Sequence, residues 1–303
     1  MTADEIVVPP ALVAAQVRFR GDAGRAWVDG VARTAAEFLD RWRLRRDGPT
    51  RSGVAGLVLP VITADGTRAV LKLQDTDPDH PGEGLALRTW HGDGAARLLR
   101  EDPETWTLLI ERLDPDRDLR SVDDDEAAVR VIALLLNRLN AHTAPPEIPR
   151  LADKAALMIE DTPGAAARLA DPAEGAVLRR WAAMLAEVAG DAGDRLLHWD
   201  LHYENVLAAD REPWLAIDPK PLAGDPGFEL WPALWNRWDT AAPERRVRRR
   251  FDLMTEVMGL DRQRAAAWTV GRTLQNALWS IEDGERALDP VELTIAAVVT
   301  RRG

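Results

Sequence analysis

The chain has 303 residues, 46% apolar and 29% charged, with a net charge of −11 and no cysteine. That is a globular composition with room for one large core or two lobes, and it excludes disulfides, thiolate metal sites and cysteine nucleophiles. No apolar run reaches membrane-spanning length, charges interrupt residues 1–30, and the acidic balance argues against a nucleic-acid binder, so a cytoplasmic protein with neither membrane nor nucleic-acid partner is expected. In chain order, apolar spacing predicts helix over residues 9–46. Val54–Ile62 and Arg68–Gln74 read as the strands of a hairpin around the turn Ala64-Asp65-Gly66-Thr67. A short helix, Gly82–Trp90, precedes two further strand candidates, Ala95–Leu99 and Trp106–Leu113. The acidic, turn-rich stretch Asp114–Asp118 then marks the expected boundary between an N-terminal lobe, 1–113, and a C-terminal lobe, 114–303.

Helices dominate afterwards. Asp123–His142 carries apolar residues at helical spacing until the prolines of Thr143–Pro149 end it, and Pro172–Val188 is a second helix. Between them, residues 152–171 read either as a substrate lid or as a polar connection. Leu196–His198 and Trp214–Ile217 are short strands, and residues 226–299 are mainly helical. In that region Trp231, Trp235 and Trp238 recur at helical spacing, which favours core over a sugar-stacking platform. Arg245, Arg246, Arg248, Arg249 and Arg250 read as a solvated helix face, and Glu282, Asp283 and Glu285 as a solvated helix end.

The chemistry concentrates between the two short strands, in His198-Trp-Asp-Leu-His-Tyr-Glu-Asn205 followed by Ile217-Asp218-Pro219. The pattern His-x-Asp-x-x-x-x-Asn with a later Asp is the spacing of a kinase catalytic loop and its metal-binding aspartate. Chance produces the first part in about one chain per hundred of this composition. In that role Asp200 orients the acceptor hydroxyl and takes its proton, while Asn205 and Asp218 offer the oxygen ligands that magnesium requires. His198 is expected to brace the loop rather than titrate. A rival reading notes that His198, Asp200 and His202 alternate, so on a strand they would share a face and could hold a hydrolytic metal; His80, His91 and His142 are poorly placed to complete such a site. The usage of basic residues adds a second signal: of 39, only Lys72, Lys154 and Lys220 are lysines, and Lys72 and Lys220 lie in the suspected active-site segments.

Taken together, Gly56–Val61, Ala69-Val-Leu-Lys72, Leu85–Trp90, Leu109–Asp114 and His198–Trp235 make the chain resemble the aminoglycoside phosphotransferase branch of the kinase-like superfamily. More narrowly, it is similar to the group acting on the 6-hydroxyl of streptomycin and on hydroxyurea. The resemblance implies a bilobal α+β fold, with a β-rich N-lobe and a mainly helical C-lobe, and a monomeric, ATP- and Mg2+-dependent O-phosphotransferase. Its substrate would be a small cationic or polar molecule, which the acidic composition suits. Lys72 matches the phosphate-binding lysine and Glu83 its ion-pair partner; Gly53 and Gly56 stand where a phosphate flap belongs, although the full glycine triplet is absent. Glu111 and Leu113 resemble the adenine-binding hinge, and Lys220 is placed to stabilise charge on the transferring phosphate. Asp225 is expected to cap the helix starting at Pro226, with substrate binding a secondary role, and Glu229 is a candidate for an acidic acceptor pocket. A housekeeping sugar or amino-alcohol kinase, and a catalytically silent kinase-like binding protein, are the alternatives.

Overall fold

The computed structural model describes residues 6–53, 56–75 and 82–301. Val54, Ala55 and His80, which figured in the readings above, lie outside them. The chain forms two compact units, one of residues 1–92 and 96–113, the other of 93–95 and 114–303.

The first unit opens with helix α1, Pro10–Arg41, which is two helical segments joined by a kink at Gly21, where φ is 57° and ψ −129°. That combination is essentially restricted to glycine. The predicted helix stops five residues early, since Arg45–Arg46 (β1) and Arg51–Ser52 (β2) pair with the next strand. Strands β3, Gly56–Ile62, and β4, Arg68–Gln74, form the expected hairpin in continuous antiparallel register. Helix α2, Glu83–Trp90, follows, and then β5, Leu98–Asp102, and β6, Thr107–Glu111, complete a sheet of order β1-β3-β4-β6-β5. The first of the two later strand candidates begins three residues late, because Ala95 bridges to Ala216 in the second unit's own sheet.

Period-two alternation decides which way each side chain faces. Leu57, Leu59 and Val61 on β3 and Ala69, Leu71 and Leu73 on β4 are buried against Val31, Ala35 and Phe38 of α1 and Trp42 just after it. Lys72, out of phase with that set, therefore turns to the other face of the sheet. Gly84 lets α2 approach the sheet, since a Cβ there would lie 2.3 Å from Glu101 Oε1 and 3.1 Å from Leu108 Cδ2.

In the second unit, Asp114–Asp118 is not a turn but a strand, β7, with irregular pairing to β9, Val206–Ala208. Strand β8, Arg195–Leu197, pairs with β11, Leu222–Gly224, and β9 pairs with β10, Trp214–Ala216. The helices are α3, Asp125–Leu139; α4, Leu151–Arg168; α5, Pro172–Ala189; α6, Trp231–Trp235; α7, Pro243–Met258; α8, Arg262–Glu282; and α9, Pro290–Thr300. Residues 152–168 thus belong to a regular helix with Pro163 inside it. Helix α8 is the central element, buried along most of its length and packed against α4, α5, α7 and α9. Among the described residues, no helix is long and apolar enough to cross a membrane.

Two sequence expectations fail here. Trp231, Trp235 and Trp238 do not form a core stripe: α6 is only five residues long, Trp235 is 41% exposed and its neighbours are half-buried. The arginine run is not wholly solvated either. Arg250 is 2% exposed and bonds Asp125 together with the carbonyls of Ala233, Leu234 and Asn236, while its neighbours at 245, 248 and 249 remain outside.

Candidate active site

The second unit holds the loop singled out by spacing. β8 enters it and β11 returns beside β8, while β9 and β10 pair with each other in between. Both crossovers between these two ribbons, residues 198–205 and 217–221, are therefore forced side by side. Three bonds tie them: Ile217 N–H donates to Asn205 O at 2.9 Å, Lys220 N–H to His198 O at 2.9 Å, and His198 Nε2 to Ile217 O at 2.9 Å. Asp200, Asn205, Asp218 and Lys220 are brought together by this arrangement, although a long stretch of sequence separates the first from the last.

His198 is buried, and its Nδ1 accepts from Asp200 N–H at 3.3 Å. With both ring nitrogens so engaged, it is a brace and not a metal ligand. Burial, above all, pushes its pKa down to about 3, which keeps the ring neutral. The alternation that suggested a shared metal-binding face fails because residues 198–202 form a loop rather than a strand. His202 Nδ1 instead accepts from Glu204 N–H, and Glu204 pairs with Arg120.

Asp200 has its carboxyl pKa raised, chiefly by burial, with the charges of His202 and Arg272 opposing the rise. No hydrogen bond reaches its carboxylate among the described residues. Asn205 donates from Nδ2 to Asp200 O at 2.9 Å, so its side-chain oxygen is oriented as an acceptor. Asp218 takes φ 57°, and Trp199, next to Asp200, takes φ 65°. Both lie in the left-handed region that costs a non-glycine residue free energy, as functional loops often do. Lys220 Nζ stands 3.3 Å from Asp218 Oδ1. Asn205 and Asp218 together provide hard oxygen donors on adjacent crossovers, a set that fits a magnesium ion.

Glu229 is not in an acceptor pocket. It is fully buried and receives N–H donors from His198 at 2.7 Å, Trp199 at 2.9 Å and Asn140 at 2.8 Å, which anchors the start of the loop from below. Burial pushes its carboxyl up to about 7, against the lowering effect of those three bonds. Asp225 caps the turn Pro226–Glu229 through Gly227 N–H at 2.8 Å, as expected. Its second oxygen is taken by Arg264 Nε at 2.6 Å, so it is not placed to receive a substrate cation. Glu282, Asp283 and Glu285 are exposed.

Sequence reasoning missed several parts of this site. Tyr203 donates to Asp125 Oδ1 at 3.0 Å and so links the loop to Arg250. Lys154, the third of the rare lysines, lies 5.0 Å over the Trp199 ring; its scarcity was the one available signal. Arg272 stands over the same ring at 5.4 Å, and nothing distinguished it among the many arginines.

In the first unit Lys72 Nζ bonds both carboxylate oxygens of Glu83, at 2.8 and 2.6 Å, and both side chains are largely buried. Gly53 N–H donates to Gly56 O at 3.1 Å. Glu111 N–H goes to Arg97 O and its side chain accepts from Arg97 N–H, which fixes the end of β6 before the buried Leu113.

A sheet lysine paired with a buried glutamate on α2, and a helical unit with an Asp–Asn–Asp loop, define a kinase-like phosphotransferase. A crystal structure of a thermostable mutant aminoglycoside phosphotransferase, in ternary complex with ADP and hygromycin B, has this fold. It aligns with a TM-score of 0.58 at 16% identity, over 87% of this chain and 97% of that one. The aminoglycoside/hydroxyurea antibiotic resistance kinase family matches residues 41–284, and the chain belongs to that family. It is 55% identical to a streptomycin 6-kinase of Streptomyces glaucescens, over 97% of each chain. It is 54% identical to a hydroxyurea phosphotransferase of Kitasatospora aureofaciens, over 98% of this chain and 87% of that one. The protein is accordingly an enzyme of the small-molecule kinase class.

Proposed function

We propose that the enzyme transfers the γ-phosphate of ATP to a hydroxyl of a streptomycin-like aminoglycoside, acting as a cytoplasmic resistance kinase. The observation that carries this reading is the convergence of Asp200, Asn205 and Asp218 on two crossovers locked together by backbone bonds. Asp200 takes the acceptor's proton as its oxygen bonds to the γ-phosphorus and the β–γ bridging P–O bond breaks, releasing ADP. Burial raises the proton affinity of that carboxylate, which favours the transfer. Asn205 and Asp218 would hold a magnesium ion, which would supply positive charge to neutralise phosphate oxygens. Lys220 adds positive charge near the transferred group, and Lys72, steadied by Glu83, binds nucleotide phosphate.

Hydroxyurea is the second acceptor to consider, because a relative of that name matches almost as well as the streptomycin kinase. The test is ADP release with ATP and magnesium, in the presence of streptomycin, other aminoglycosides, hydroxyurea or simple sugars. Stimulation by streptomycin with O-phosphorylated product is expected. Asp200→Asn should lower kcat by about 10²–10⁴-fold while leaving the KM for ATP nearly unchanged. Full activity in that variant would refute the assignment of Asp200, and the absence of stimulation by streptomycin would refute the substrate.

A further inference from the structure

Arg272 on α8 is 8% exposed, and its guanidinium stands among three indoles, 5.4 Å from the Trp199 ring, 5.7 Å from Trp231 and 5.2 Å from Trp279. Its contrast with Arg250 is instructive. Arg250 is still more buried, but it meets a carboxylate and several carbonyls, so its charge and donors are matched and its role is to hold the fold. Arg272 instead bonds two neutral amides through Nη1, Gln275 Oε1 at 2.9 Å and Asn276 Oδ1 at 2.7 Å. Its Nε is buried with no acceptor. Two more buried donors in its surroundings share that condition, Trp231 Nε1 and Asn276 Nδ2.

Unmatched buried donors are costly and are retained where a ligand completes them. Indole faces compensate the charge, but an N–H needs an oxygen. Glu292 and Arg272 sense each other's charge but share no hydrogen bond, and burial and the nearby Asp289 push the Glu292 carboxyl up to about 8. Trp279, one of the three indoles, is 42% exposed, so the cluster reaches the surface at that ring. It adjoins the chemistry, since Trp199 directly precedes Asp200 and Asp200 is among the charges that Arg272 senses.

We propose that Arg272, with Trp231 Nε1 and Asn276 Nδ2, forms an acceptor subsite beside Asp200 that selects substrates by a hydroxyl or carbonyl oxygen next to the reacting hydroxyl. This inference rests on the phosphotransferase reading above and specifies which part of the acceptor the site reads. The acceptor is thereby recognised through oxygen donated to by three N–H groups, and the acidic overall charge of the chain takes no part in this subsite.

The experiment compares wild type with Arg272→Lys and Trp231→Phe, the latter keeping an aromatic face, smaller than the indole, but deleting one donor. Steady-state kinetics are taken with streptomycin and with hydroxyurea, and thermal melting checks the fold. A rise in acceptor KM of tenfold or more for Arg272→Lys and severalfold for Trp231→Phe, with ATP KM within twofold of wild type, is expected. Unchanged acceptor KM in both variants, with only a lowered melting temperature, would overturn the subsite and leave the kinase assignment standing. If wild type phosphorylates neither compound, the substrate assignment falls, and calorimetric titration of the same two compounds decides the subsite. Binding lost in Arg272→Lys then supports it, and binding absent from wild type or undiminished in the variant overturns it.

Discussion

His198 and Glu229 lie fully buried beneath the loop that carries Asp200, and burial acts on them with opposite signs. For His198 the folded pKa, about 3, lies below its ordinary 6.5. Between those values the unfolded chain binds more protons, so this histidine's contribution is fully present above 6.5 and is lost as pH falls. For Glu229 the folded pKa, about 7, lies above the ordinary 4.5. The folded state then holds more protons, so its contribution is fully present below 4.5 and is lost as pH rises through 7. The two windows overlap between pH 4.5 and 6.5, where the slopes oppose each other. Melting temperature followed across that interval should therefore rise more steeply with pH in Glu229→Gln than in wild type. In His198→Asn it should rise less steeply, or fall. Identical slopes in all three proteins would show that neither group titrates on unfolding in this range.

At the level of elements, the loop is held not only by its own ribbons but by a helix distant in sequence. Arg250 on α7 joins Asp125 at the start of α3, the carbonyls that end α6, and, through Asp125, the hydroxyl of Tyr203. Removing one partner of such a buried pair leaves an uncompensated charge and typically costs about 3–5 kcal/mol. Arg250→Ala should lose stability of that order by urea denaturation, whereas Arg248→Ala, on the exposed side of the same helix, should change it by about 0.5 kcal/mol or less. The same contrast marks how far sequence reasoning reached. Strong local signals were legible: the β3–β4 hairpin, the cap at Asp225 and the His-x-Asp-x-x-x-x-Asn spacing each depend on neighbours within a few residues. β9 and β11 were not, although their equally short partners β10 and β8 were read, since a three-residue strand carries no periodicity of its own and is completed by its pairing. Arg250 and Arg272 were hidden for a similar reason, since what distinguishes them from exposed arginines is a set of contacts supplied by other helices. Glu229 looked like a pocket acid because a carboxylate serving backbone donors has the same letter as one serving a ligand.

For the molecule as a whole, the side chains proposed to act are divided between the two compact units, Lys72 and Glu83 in the first, Asp200, Asn205, Asp218 and Lys220 in the second. Each set is fixed within its own unit: the lysine by sheet alternation and its bidentate partner, the loop by paired ribbons and by Glu229. Nucleotide binding and proton removal should then be separable by substitution. A ligand that binds only the folded state stabilises it by RT ln(1 + [L]/Kd), about 2.7 kcal/mol at a hundredfold excess over Kd. With ATP and magnesium at saturating concentration, wild type and Asp200→Asn should show the same upward shift in melting temperature, because the substitution leaves Lys72, the lysine proposed to bind phosphate, intact. Lys72→Met removes the ammonium that answers phosphate charge and leaves Glu83 buried without its cation. It should therefore melt lower without nucleotide and lose most of the nucleotide-induced shift. Differential scanning fluorimetry of the three proteins, with and without ATP, reads both effects at once. A full shift in Lys72→Met would separate nucleotide affinity from this lysine and confine its role to the Glu83 pair, while loss of the shift in Asp200→Asn would show that the loop contributes to nucleotide binding as well as to chemistry.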